Sequence, residues 1–156
     1  PAQSATGDSE LLRAAFQMLQ ETPIVDSTLV PPSFHITVGL LVLITSALAL
    51  GFTGWAAWKR QDFSTRSQLS LILFQAALMV QILIGVKLLD QGLGPLQAYI
   101  HFLGGMAPIA FCLILYWLPV TNALRKSRIA AGVAALSFVF VLMTFAIGSM
   151  YVPGGA

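Results

Sequence analysis

The sequence predicts an all-α membrane protein: an up-down bundle of four transmembrane helices, preceded by a short amphipathic helix outside the cytoplasm. Three observations predict it. The 156 residues are 57% hydrophobic and only 9% charged, against roughly 25% charged residues in an ordinary soluble domain. Four stretches, 36–58, 69–86, 96–120 and 129–152, contain no Asp, Glu, Lys or Arg, and each is long enough to cross about 30 Å of hydrocarbon at roughly 1.5 Å per residue. Their apolar residues fall on every face instead of alternating, and a lone strand would leave its backbone unpaired in lipid, so these are helices and not barrel strands.

Residues 1–8 are small and polar and read as a tail. From Ser9 the pattern changes: Leu11, Leu12, Ala15, Phe16 and Leu19 recur at helical spacing, with Asp8 or Ser9 as N-cap and Glu10 in the first turn, which predicts an amphipathic helix over about 9–20. Its apolar face has three possible resting places: the outer membrane surface, a neighbouring subunit or its own bundle. Pro23, Pro31 and Pro32 end this 1–32 extension, and Ser33 can cap the first span. The bundle then occupies 33–152, with spans of about 34–58, 69–89, 96–118 and 128–151, and leaves a tail at 153–156. Short connections make consecutive helices antiparallel neighbours, which sets the first span diagonal to the third. The turn at 90–95 is tight, and Pro108 predicts a kink opposite Gly104. Small residues such as Ser46, Ala49, Ala131, Gly132 and Gly148 offer points of close helix approach.

Charge orients the bundle. Lys59, Arg60 and Arg66 lie between the first and second spans, and Arg125, Lys126 and Arg128 between the third and fourth; Asp8, Glu10, Glu21, Asp26 and Asp90 lie on the other side with Arg13 and Lys87. The positive-inside rule makes the basic connections cytoplasmic and both termini extracytoplasmic, as in a bacterial inner membrane. Trp55, Trp58, Tyr116 and Trp117 then mark the inner interface, Tyr99 and Tyr151 the outer one. The net charge of +2 therefore serves topology, with no call for nucleic acid.

Several chemistries are argued against. Cys112 is the single cysteine, so no internal disulfide or dithiol is available. No apolar leader with a small-residue cleavage site precedes the first span. No acid lies inside a span, which disfavours a proton-coupled transporter. Gln75 and Gln81 sit about 240° apart on their helix, so they cannot line one pore face and are expected to bond to neighbouring helices. No phosphate loop, Cys/His cluster or Ser/His/Asp set is visible.

The two histidines remain. His35 opens the first span and His101 lies about one turn into the third; both spans run inward, so both rings belong in the outer leaflet on helices that face each other diagonally. That arrangement suits two axial ligands of a b-type haem iron. Gly39 follows His35 by four residues, Gly104 and Gly105 follow His101 by three and four, and Gly85 lies near the outer end of the second span, leaving room for a flat macrocycle. Lys87 can snorkel to the interface and pair with a propionate. Each feature has a plainer reading: glycines ease packing without a cofactor, His35 can serve as an interfacial residue, and Lys87 can anchor the helix with Asp90 as its partner.

The succession Phe34-His35, Gln81-Ile-Leu-Ile-Gly85, Gly92-Leu-Gly-Pro95 and His101-Phe-Leu-Gly resembles one four-helix half of the haem A synthase family over about residues 34–118. The resemblance implies a haem-holding bundle with His35 and His101 at the matching ligand positions. The family joins two such halves and carries a glutamate on the helix of its first histidine; this chain has one half and no acid in any span, so the oxygenating chemistry does not carry over. Two readings stand: a b-type haem subunit of a membrane redox complex, with no catalysis of its own and a redox partner outside the cytoplasm, or a cofactor-free accessory subunit of a respiratory or photosynthetic complex. A variant of the second has one histidine ligating a chlorophyll-type pigment.

Overall fold

The computed structural model describes residues 29–94 and 98–149; the amphipathic helix expected over 9–20, Pro95, Tyr151 and the tail 153–156 lie outside them. All regular structure among the described residues is helical: α1 (Pro32–Trp58), α2 (Thr65–Asp90), α3 (Ala98–Trp117) and α4 (Ala123–Ser149). All four are long and apolar enough to cross a membrane. α1 packs on α2 and α4, and α3 packs on α4 and more sparsely on α2, so α1 and α3 stand on the diagonal.

Among the described residues α1, α2 and α4 start before their charge-free stretches. α2 and α4 begin about a turn before 69 and 128 because their caps lie in the basic loops: Ser64 Oγ accepts from the Ser67 N–H at 3.3 Å and Asn122 Oδ1 from the Arg125 N–H at 2.9 Å. A backbone ladder continues through Arg66 or Arg128 as readily in headgroups as in hydrocarbon, so hydropathy marks the membrane and caps mark the helix. α1 corrects an expectation: Ser33 is no cap. The helix starts at Pro32 with no side-chain cap, in keeping with the pre-set φ of proline at a first helical position, and the Ser33 carbonyl already accepts from Thr37 Oγ1 at 2.9 Å.

Two helices end alike. After α2, Gly92 takes φ +73° while the N–H groups of Leu93 and Gly92 return to Leu88 and Leu89 carbonyls, both at 2.9 Å; Leu93 then packs with Leu88, Val38 and Ile84, the apolar contact that accompanies this motif. After α1 the same bonds run from Gln61 to Ala56 and from Arg60 to Ala57, but the left-handed position at φ +54° holds Arg60. A side chain there costs roughly 1 kcal/mol. Arg60→Gly is therefore expected to stabilise the bundle by about that amount in a detergent unfolding titration; unchanged stability contradicts this account of the turn.

Buried positions recur at alternating intervals of three and four along every helix: Gly39, Val42, Ser46, Ala49, Thr53 and Ala56 on α1; Ser67, Leu71, Phe74, Leu78 and Leu88 on α2; Pro108, Cys112 and Leu115 on α3; Ser127, Ala130, Ala134, Ser137 and Val141 on α4. This is the seam of side-by-side helix packing. α1 and α4 contribute mostly small residues, so their backbones can approach closely, while α2 and α3 contribute Leu71, Phe74, Leu78 and Leu115, which fill the centre. The buried hydroxyls of Thr53, Ser46 and Ser70 return to carbonyls of their own helices at 2.6, 2.8 and 2.9 Å, so they add no unpaired group. Phe74 is 0% exposed. In lipid the transfer term is small and the cavity term remains, so Phe74→Ala is expected to cost about 2 kcal/mol in the same titration, below the roughly 3–5 of a soluble core; a loss under 0.5 argues that the site collapses.

Candidate functional site

Followed away from the basic loops, the same seams reach His35 on α1, Gln81 and Gly85 on α2, His101 and Gly105 on α3, and Thr144 and Gly148 on α4. Glycine replaces bulk at each level, and the core opens into a cavity with an open mouth. His35, Gly39, Gln81, Gly85, His101, Gly105, Thr144 and Gly148 line it, with Leu78, Val141 and Phe145 among its apolar walls. Val86 and Met106 also line it although they are 56% and 58% exposed. They flank the sparse α2–α3 seam, so the cavity opens sideways toward hydrocarbon. A continuation toward the turn touches Pro32, Leu93 and Gly94. There the Gln91 carboxamide pairs with both main-chain groups of Val30, at 3.0 and 2.8 Å, tying the lead into α1 to the end of α2.

The two imidazoles meet across the diagonal, with ring centres 6.1 Å apart and planes tilted by 53°. Each occupies ground that a glycine on an adjacent helix leaves vacant. A Cβ at Gly85 would lie 3.3 Å from His35 Cε1, one at Gly148 2.8 Å from His101 Cε1, and one at Gly39 3.1 Å from Gln81 Nε2. Gly105 lines the cavity, whereas Gly104 does other work: its Cβ would meet Thr144 Oγ1 at 2.5 Å and Met143 at 3.2 Å, so it is where α3 and α4 touch. Lys87 lies outside the lining and pairs with Asp90 at 3.1 Å.

The polar groups inside are incompletely paired. Gln81 Nε2 lies 3.1 Å from His35 Nε2; the amide nitrogen can only donate, so His35 Nε2 accepts with its lone pair and the proton sits on Nδ1. His101 Nδ1 is buried without a partner. Among the described residues six buried side-chain polar atoms lack a partner, and four of them, His35 Nδ1, His101 Nδ1, Gln81 Oε1 and Thr144 Oγ1, belong to this cavity. Each such atom costs about 1–3 kcal/mol, so their concentration marks a place built for an occupant with polar or metal-binding groups.

The structure thus brings together His35, His101, Gly39, Gly85 and Gly105, and separates Gly104 and Lys87 from them. Gln81 and Thr144 went unassigned in the sequence reading; carrying the three-and-four spacing of the core outward lands on both. Gln81 does bond to a neighbouring helix as expected, and so does Gln75, which donates to Tyr116 Oη at 3.1 Å nearer the basic loops. No family model matches the chain, and no curated protein or solved structure matches it either.

Proposed function

We propose that this bundle holds a b-type haem, with His35 and His101 as axial ligands, as a subunit of a membrane redox complex. The observation that carries the reading is the spacing of the two rings. The ring centres stand 6.1 Å apart, so the two imidazoles would be near enough to hold one iron from opposite sides.

The residues fit the group in three further respects. His35 presents the lone pair of Nε2 beside Gln81, and His101 has an unpartnered buried Nδ1. Glycines at 39, 85, 105 and 148 thin the walls beside the rings. Among the described residues no three His, Cys, Asp or Glu side chains converge, so a bare metal ion lacks a cage, whereas a macrocycle supplies its own equatorial ligands. When bound, the group would carry single electrons. The chain's own contribution is to hold the iron from two sides, surround it with Leu78, Val141 and Phe145 and so keep water away, and offer Lys87, at the same end of α2, as a cation for a propionate in place of Asp90. By the positive-inside rule the site lies in the outer leaflet of a bacterial inner membrane with both termini outside, and the 1–32 extension would help dock a partner there.

Hemin titration into detergent-purified protein tests this. A low-spin spectrum at one equivalent, with sharp bands on dithionite reduction, is the expected result; no spectral shift in folded protein sinks the reading. Since the mouth opens between Val86 and Met106, Met106→Trp is expected to slow uptake at least tenfold and leave the final spectrum unchanged, followed by stopped-flow absorbance; uptake at the wild-type rate contradicts lateral entry.

One observation favours the second reading, a cofactor-free accessory subunit: His35 Nε2 already has a hydrogen-bond partner in Gln81. On that reading the protein purifies without haem or pigment inside a larger complex, and His35→Asn leaves the complex intact.

A further inference from the structure

We infer that Gln81 is a positioning residue for the proposed ligand His35, presetting its tautomer and covering its coordinating nitrogen until iron takes that nitrogen. The inference rests on the haem reading and adds a device to it.

Gln81 reaches His35 from the adjacent helix, 46 residues further along the chain, at 3.1 Å between nitrogens. A neutral imidazole carries one N–H and one lone pair, and an iron ligand must present the lone pair. An amide N–H aimed at Nε2 is compatible only with the tautomer whose proton is on Nδ1. Gln81 therefore selects the form of His35 that can ligate through Nε2, and at the same time occupies that lone pair.

Space for this contact is set aside on α1. Gly39, one turn beyond His35, is the point where a Cβ would approach Gln81 Nε2 to 3.1 Å and the Phe145 ring to 3.4 Å, so a side chain there would push the amide off the imidazole. The arrangement is half satisfied: Gln81 Oε1 and His35 Nδ1 are buried without partners. This pair closes one end only, at His35 Nε2.

Competition for Nε2 has a definite sign. Gln81→Leu keeps the bulk and removes the bond, so haem no longer displaces a partner, and the haem-free state loses about one net hydrogen bond. Hemin is expected to bind the variant about fivefold more tightly, the equilibrium counterpart of that bond. A residue that merely packs beside the haem gives the opposite sign on truncation. Hemin titrations of wild type and Gln81→Leu in one detergent read the difference. Weaker or equal binding by the variant overturns the inference while leaving the haem reading in place; no binding by folded wild type removes the haem reading and this inference with it. Nitrogen-15 NMR of the imidazoles in haem-free wild-type protein is independent of any variant's folding. It is expected to show the His35 proton on Nδ1, and a proton on Nε2 overturns the inference.

Discussion

His101→Ala and His35→Ala are each expected to abolish the low-spin haem spectrum and to weaken hemin binding at least 100-fold, while leaving the bundle folded. The magnitude follows from what is removed: losing an outer-shell partner of a metal ligand already costs roughly 10–100-fold, and here the ligand itself goes. Folding survives because neither ring belongs to the packed core of Leu71, Phe74, Cys112 and Leu115. Both line a cavity, and each carries a buried Nδ1 without a partner, so truncation removes an unsatisfied group along with the ring. Stability is therefore expected to change by less than about 1 kcal/mol for His101→Ala, while His35→Ala also loses the Gln81 bond and is expected to cost about 1–2 kcal/mol. Added imidazole should enter the enlarged cavity and restore the low-spin bands. Retention of a low-spin spectrum by either alanine variant would falsify the ligand assignment.

Two glycine substitutions are expected to separate site from scaffold. Gly148→Ala places a Cβ 2.8 Å from His101 Cε1, so the ring has to move, and the diagonal geometry moves with it. Hemin affinity should fall at least tenfold, the effect of displacing a metal ligand by a few tenths of an ångström, with stability close to wild type. Gly104→Ala puts its methyl 2.5 Å from Thr144 Oγ1 and 3.2 Å from Met143 Cε. Threonine is stiff at χ1, so α3 and α4 are forced apart, at a cost of about 1–3 kcal/mol for overpacking, partly offset by the better helix propensity of alanine. Unfolding titrations and hemin titrations on both variants read the two effects. If Gly148→Ala lost stability and kept affinity, the roles given to these glycines would be reversed.

The four helices long enough to span a membrane and their neighbour relations were legible because each is a property of local composition and short connections. The helix starts were less legible. Ser64 and Asn122 lie in polar loops that hydropathy treats as outside, yet they set where the ladders begin. The two histidines stood out as the only ones in the chain, and their diagonal placement followed from topology. Gln81 was legible only as a residue that bonds to a neighbour, because the identity of that neighbour depends on the relative rotation and height of two helices. No single-helix pattern encodes that.

By itself, the sequence determined a four-helix membrane bundle and put its only two imidazoles at the same end, since charge-free length and loop length act along the chain. Tertiary structure alone decided that the rings stand 6.1 Å apart, that Gly85 and Gly148 make room for rings on other helices instead of their own, and that Lys87 turns to Asp90. It also decided that the cavity opens between α2 and α3. The physical reason is common to all four: they depend on which faces pack together, and that is settled by fitting the small residues of α1 and α4 against the large ones of α2 and α3, a condition on the bundle as a whole.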